Sequence, residues 1–433
     1  MTSLQNWEIF AKPVRAVLVG AGRRGIDIFG GFAEKYTKHL KYIAVVEPNE
    51  ERRNYFGNLH KIPEDYRYDS LKSFFANPPP KIEAAINSTD DKSHFITTKF
   101  LLKGGYHVLL EKPIATTFEE CEILEQLAID NDRILMVCHV LRYSPFFKRI
   151  KATLDSNTIG QIKKIDLIEN IGHSHFVHSY VRGNWNNSNT SGPISLTKTC
   201  HDFDIIVWLL GFKNCQSLFS YSTKNFFSEE NAPGNTPSHC TKGCNFRETC
   251  RYYAPDYYLN SNTIQARKRA VATNLDPKDI EKNLNDGPYG KCVYKCDNNV
   301  PGTQITTMSF DYNVSANLFM NSDQEESTRR IKIEGSKGSI EGCLVEGTLV
   351  LTKKNMSSKK LRVSMKTDPH GGGDYPLIYD FLTGVKNLTN SERTLISKSI
   401  MSHKLAFEAE KSRLQYIRKV KNFLQKRPPG YRS

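Results

Sequence analysis

One short segment constrains this chain more than any other. An apolar run, residues 14–20, ends in glycine, and Gly20-Ala21-Gly22-Arg23-Arg24-Gly25 leads from it into a stretch, 26–40, patterned as a helix. Each glycine has a separate physical task at such a strand–turn–helix junction. Gly20 permits the tight turn, Gly22 lets a diphosphate approach the backbone, and Gly25 lets the helix pack closely on the strand. The helix start then offers unpaired N–H groups and the positive end of its dipole, flanked here by Arg23 and Arg24. A second apolar run, 42–47, ends at Glu47, 22 positions past Gly25. A carboxylate there can accept both ribose hydroxyls and repels a 2′-phosphate. The pattern predicts a Rossmann dinucleotide site that favours NAD over NADP, with Arg52 and Arg53 softening the preference.

The surrounding pattern agrees. Strands are expected at 82–88, 107–110 and 134–140, separated by helices at 93–103 and 117–131. Such alternation implies a parallel sheet covered on both faces. Its carboxyl edge is the ligand edge, which makes Ser88, Thr89, Asp90 and His94 cofactor-binding candidates. After a helix at 145–154, strand-like runs at 163–171, 303–313, 315–320, 330–334 and 349–352 suit an α+β domain with a large, mostly antiparallel open sheet. The reading is thus α/β plus α+β. Residues 1–140 form the nucleotide domain and 141–433 a substrate and oligomerisation domain, with an insertion at 226–299 and closing helices at 374–388 and 396–424.

With 433 residues and 39% hydrophobic content the chain can bury two cores. It has no apolar run of the roughly 18 residues a membrane span needs. Residues 1–13 lack a basic region followed by an apolar stretch, so a cytoplasmic location is expected. The net charge of +14 is scattered. Its one dense patch, 411–432, reads as a solvated helix face, so no nucleic-acid partner is expected.

Further motifs fall in order: Glu111-Lys112-Pro113 after a strand, Lys198-Thr199-Cys200-His201-Asp202-Phe203-Asp204 opening an apolar helix, and His370-Gly371-Gly372-Gly373-Asp374. Together with the glycine loop this set resembles the Gfo/Idh/MocA family of NAD(P)-dependent oxidoreductases over nearly the whole chain. The stretch from His178 through Arg182 to Trp185 resembles one subfamily of it. The resemblance implies catalysis by Lys112, whose ammonium would stabilise alkoxide charge. A cis bond before Pro113 would aim that lysine. His201 would be the general base, with Asp204 or Asp202 orienting it. Glu111 and Lys112 would border the cofactor. Arg142, Tyr143, His178, Arg182, Trp185, Lys198, Asp202, His370 and Asp374 would contact substrate. Many members carry an aspartate four residues before the histidine, where this chain has Thr197, with Lys198 next to it. The expected reaction moves hydride between a secondary alcohol of a sugar or cyclitol and nicotinamide. An NAD-recycling redox glycosidase and a non-catalytic NAD sensor are the alternatives. A homo-oligomer joined through the C-terminal sheet is expected.

The insertion carries Cys240, Cys244, Cys250, Cys292 and Cys296. The first four read as a structural zinc set, with Cys296 or His239 as substitutes. Disulfides, free thiols or an iron–sulfur cluster are the other options. An insertion this polar is not expected to order itself by burial alone. His173, His175 and His178 read as pocket lining rather than metal ligands.

Overall fold

The computed structural model describes residues 10–355, 357–364, 370–386 and 394–425. Parts of three expectations lie outside them: most of the 1–13 reading, the end of the 374–388 helix, and the last residues of the 411–432 patch. The chain divides into two compact units. The first runs to His139 and takes back Gly373–Ser399, a segment the linear reading gives to the second domain.

The first unit is built on a parallel six-stranded sheet. Its strands are β1 (Val14–Val19), β2 (Leu40–Val46), β3 (Arg67–Tyr68), β4 (Ala84–Asn87), β5 (His107–Leu110) and β6 (Leu135–Val137). They lie in the order β3-β2-β1-β4-β5-β6, with the reversal beside β1 where nucleotides bind. Strands β1, β4, β5 and β6 are buried apolar runs, as a sheet covered on both faces requires. Thr117 caps Phe118–Asp130 with a reciprocal Glu120 contact. The returning helix Asp374–Val385 buries Leu377, Ile378, Phe381 and Leu382. The backbone N–H of Val137 donates to Thr394, which ties the returning segment to β6.

The second unit holds an eight-stranded sheet: β7 (Ile162–Gly172), β8 (Cys215–Lys224), β9 (Pro301–Phe310), β10 (Val314–Gln324), β11 (Thr328–Gly335), β12 (Gly338–Cys343), β13 (Thr348–Lys353) and β14 (Lys359–Arg362). The order is β14-β13-β12-β11-β7-β10-β9-β8, antiparallel except for the β7–β10 pair. One face is mostly apolar. Ile165 and Leu167 point inward with Ile331 and Ile333, against Phe203, Ile206 and Val207 of the helix Cys200–Leu209. Leu405, Ala406 and Ala409 of the long helix Ile396–Gln425 join the same core. No described helix is long and apolar enough to cross a membrane.

The insertion carries an apolar core that its polar composition does not announce. Ala254, Tyr258, Ile280 and Leu284, with Cys240 and Ala272, form a small apolar core of their own. Tyrosines supply much of the packing around it: Tyr253, Tyr257 and Tyr289 close over the cluster. Such rings bury a large apolar body while the hydroxyl can meet a polar partner, as Tyr257 meets Arg267 and Tyr258 meets His178.

Candidate active site

The glycine loop has the geometry its spacing demands. Gly20 adopts φ +89°, a region where side chains are strained. A Cβ on Gly25 would stand 2.3 Å from the Gly20 carbonyl oxygen, whereas one on Gly22 would meet nothing within 4 Å. The open space lies where a diphosphate needs to approach. The Ser88 hydroxyl donates to the Gly20 carbonyl at 2.7 Å, joining the turn after β4 to this loop. Glu47 is buried at the end of β2. Its carboxylate accepts from the N–H groups of Ala21 (2.7 Å) and Asn49 (3.0 Å). A carboxylate has about four lone-pair directions, so two remain for hydroxyl donors.

The other cofactor candidates divide. Arg23 is exposed. Arg24 turns to carboxylates: its Nε lies 2.6 Å from Glu111 Oε1 and its Nη2 2.7 Å from Asp374 Oδ1. Burial works against its charge, but Asp374 and Glu111 outweigh that and hold Arg24 firmly protonated. Asp374 is therefore engaged inside the first unit. Thr89 donates to Asn87 Oδ1, and the exposed Asp90 caps Ser93. His94 is 1% exposed, with Nδ1 2.6 Å from the Pro113 carbonyl and Nε2 3.2 Å from that of Thr89. It links the turn after β4 to the Pro113 turn. The Lys112–Pro113 bond is cis.

In the second unit His201 lies near the start of the helix Cys200–Leu209, its ring 5.6 Å from that of His370. Beside it lies a buried charge network that the motifs did not reveal. Lys198 Nζ is 2.8 Å from Glu169 Oε1. Arg329 Nε is 2.8 Å from both Glu169 Oε2 and Asp202 Oδ1. Burial and the nearby Glu169 push the Asp202 carboxyl up to about 6 against the pull of Arg329. Burial, helped by Arg329, lowers the Lys198 ammonium from its usual range. Asp202 is thus bound to Arg329. Asp204 is likewise paired with Arg142 through two contacts of 2.7 and 2.5 Å. Glu169 was detectable in the sequence. It breaks the inward series Ile165, Leu167, Ile171 on β7, and Arg329 stands directly across from it on β11.

The remaining substrate candidates have other surroundings. Tyr143 is buried, with Lys148 over its ring. His178 lies 2.8 Å from the Tyr258 hydroxyl and stacks on Tyr289, both from the insertion. Trp185 stacks on Tyr180. Arg182 donates to the carbonyls of Lys291 and Tyr252 (both 2.7 Å) and reaches Cys240 Sγ at 3.5 Å. His173 meets Arg251. The stretch from His173 to Trp185 therefore serves as a seat for the insertion.

The predicted zinc centre is not formed. Among the described residues no group of three or more His, Cys, Asp or Glu side chains could hold a metal ion. A guanidinium cation occupies the flank of Cys240, and burial pushes the thiols of Cys240, Cys250 and Cys296 up, the last to about 11. The cysteines as placed do not form a metal site among the described residues, and an apolar core packs within the insertion.

Sequence profiles of known families decide the classification. Residues 14–139 match “Oxidoreductase family, NAD-binding Rossmann fold”, and residues 151–395 match “Oxidoreductase family, C-terminal alpha/beta domain”. The chain belongs to the Gfo/Idh/MocA oxidoreductase family. Like its relatives it is an NAD(P)-dependent oxidoreductase. The putative oxidoreductase YteT of Bacillus subtilis is 22% identical over 386 residues, 85% of this chain and 88% of that protein. An inositol dehydrogenase homologue from Azotobacter vinelandii, crystallised with NAD+, shares the fold with a TM-score of 0.66. Its identity is 16%, covering 93% of this chain and 96% of that one. Myo-inositol 2-dehydrogenase from Lactobacillus plantarum gives a TM-score of 0.64 at 16% identity, covering 93% and 97%. The residues present fit such a dinucleotide: Gly20, Gly22 and Gly25 would cradle its diphosphate, and the Glu47 carboxylate would accept from its ribose.

Proposed function

We propose that this family member is an NAD-dependent dehydrogenase acting on a secondary alcohol of a sugar, cyclitol or sugar derivative. The observation that carries the reading is the entry to the helix Cys200–Leu209. There His201 and the Lys198 ammonium, held by buried Glu169, supply acceptor and donor groups suited to a hydroxyl-rich substrate. The inositol dehydrogenases among the structural relatives support the same class. Glu47, with its buried carboxylate at the ribose position, supports NAD over NADP.

Bound NAD+ supplies the hydride acceptor. In the second unit His201 takes the hydroxyl proton as the C–H bond breaks and Lys198 holds a neighbouring hydroxyl; Lys112 of the first unit supplies an ammonium for alkoxide charge. We further propose a cytoplasmic homo-oligomer joined through the second unit's sheet. The exposed Phe219 and Tyr221 of β8, with Tyr416 beside them, support that interface.

The test is NADH formation with myo-inositol, D-glucose and D-xylose, each also supplied as its methyl glycoside where one exists. The wild type should turn over at least one of them, with Lys112→Ala and His201→Ala each lowering kcat by about a hundredfold or more. NAD+ binding without turnover in all forms would indicate a sensor. Glycoside cleavage without net NADH would indicate a redox glycosidase.

A further inference from the structure

Arg24 occupies the last variable position of the glycine loop, where a cation is expected to meet cofactor phosphate. Its contacts run elsewhere. One edge meets Glu111 Oε1 at 2.6 Å and another meets Asp374 Oδ1 at 2.7 Å, while the ring of Phe29 lies under the guanidinium at 5.6 Å. Glu111 uses its second oxygen to accept from the backbone N–H of Lys112 at 3.3 Å. Its carboxylate is thus fixed at both ends, and the peptide before Lys112 is fixed with it. On the other side of Lys112, the Pro113 carbonyl is 2.6 Å from His94 Nδ1. A carbonyl oxygen can only accept, and a singly protonated ring has one N–H to give, so the shorter contact, to Pro113, is the one that fits a hydrogen bond. His94 is buried, and its other ring nitrogen lies against the Thr89 carbonyl, so the ring has little freedom to turn.

We propose that Arg24 and His94 are positioning residues that grip the Glu111-Lys112-Pro113 turn from both flanks and so fix the direction of the Lys112 side chain. This rests on the reading of Lys112 as the group that stabilises the substrate oxyanion. A lysine brings four rotatable bonds to a task that needs one placement. Anchoring the backbone on either side fixes the Cα–Cβ direction from which that side chain starts, and displacement by about an ångström can cost a hundredfold in rate. Because Arg24 springs from the glycine loop itself, the brace sets the lysine relative to the loop that cradles the cofactor. Asp374 completes it by holding the far edge of the guanidinium.

The proposal separates affinity from rate. In Arg24→Met and His94→Gln, NAD+ affinity by calorimetry should stay within about threefold of wild type, while kcat falls by about tenfold or more and the substrate deuterium isotope effect rises. Arg24→Lys, which can keep one of the two ion pairs, should recover part of kcat. Glu111→Gln serves if Arg24→Met does not fold. A second readout needs no turnover: the acylation rate of Lys112 by acetic anhydride, followed by peptide mass spectrometry on the NAD+-loaded protein. The brace predicts a change of about threefold or more in the same variants, with circular dichroism unchanged. If wild type oxidises no polyol, the dehydrogenase reading fails and the labelling rates alone judge the brace. Unchanged labelling and kcat would overturn it. So would a large loss of NAD+ affinity at constant kcat, which would make Arg24 a phosphate reader.

Discussion

Asp204 offers a sharp separation between a catalytic and a structural role. Its side chain is 1% exposed and that of Arg142 3%, and two contacts join them. Arg142 also lies over the ring of Phe212. Burial raises the Asp204 carboxyl, and Arg142 is the main force keeping it charged. Removing one partner of such a pair leaves an uncompensated buried charge and costs about 3–5 kcal/mol. Replacing both with apolar groups of similar volume is about neutral. Arg142→Met should therefore destabilise the second unit by that amount, and Asp204→Leu by a similar amount for the stranded guanidinium. The double variant should recover at least half of the loss. Urea unfolding followed by tryptophan fluorescence reads this directly, since Trp185 and Trp208 both lie in that unit. With an m-value of about 2 kcal/mol/M, each single variant should lower the midpoint by roughly 1.5–2.5 M. In native buffer, kcat per folded molecule should be nearly unchanged in Asp204→Asn. A single-variant cost under about 1 kcal/mol, or a large fall in kcat with stability intact, would refute the reasoning and return Asp204 to the catalytic machinery.

Gly22→Ala has room for its Cβ in the protein itself. It should leave stability within about 0.5 kcal/mol while lowering NAD+ affinity by about tenfold or more. Gly25→Ala meets a backbone oxygen at 2.3 Å and should instead lower the melting temperature. Burial lowers the His60 imidazole to about 4, below its usual value near 6.5. The neutral form is thus favoured on folding, so its contribution is complete above about pH 6.5 and is lost as pH falls toward 4. Allowing for partial exposure, this amounts to roughly 2 kcal/mol. His60→Gln should flatten the stability profile in that window. Arg182→Met should increase hydrogen exchange across residues 240–292, whereas chelators should leave that exchange unchanged.

Much of the architecture was legible because it rests on local pattern. The strand, glycine turn and Glu47 announce the nucleotide domain, and the strand at His107–Leu110 lies where its apolar run places it. β8 escaped notice because Ser217, Ser220, Ser222 and Thr223 break its apolar alternation at the sheet's edge. β3 and β14, two and four residues long, are too short to show a hydrophobic period. Motifs pointed to Lys112, His201 and Arg24 as residues, but not to their partners. Arg24 and Asp374 meet across 350 positions of sequence, and Arg329 and Asp202 across 127. Charge pairs of that separation depend on the tertiary fold, and no local periodicity encodes them. The cysteines misled for a related reason. Their spacing suggested a metal, while the tyrosines that order the insertion looked like ordinary polar-loop residues.

The most direct test follows the label. Myo-inositol deuterated at C2 and D-glucose deuterated at C1 would be incubated with the enzyme and NAD+, and the recovered cofactor examined by proton NMR. The account predicts deuterium at nicotinamide C4, on one face only, with the transfer rate in His201→Ala lower by about a hundredfold or more. Oxidised substrate alongside NADH with no label at C4 would contradict direct hydride transfer.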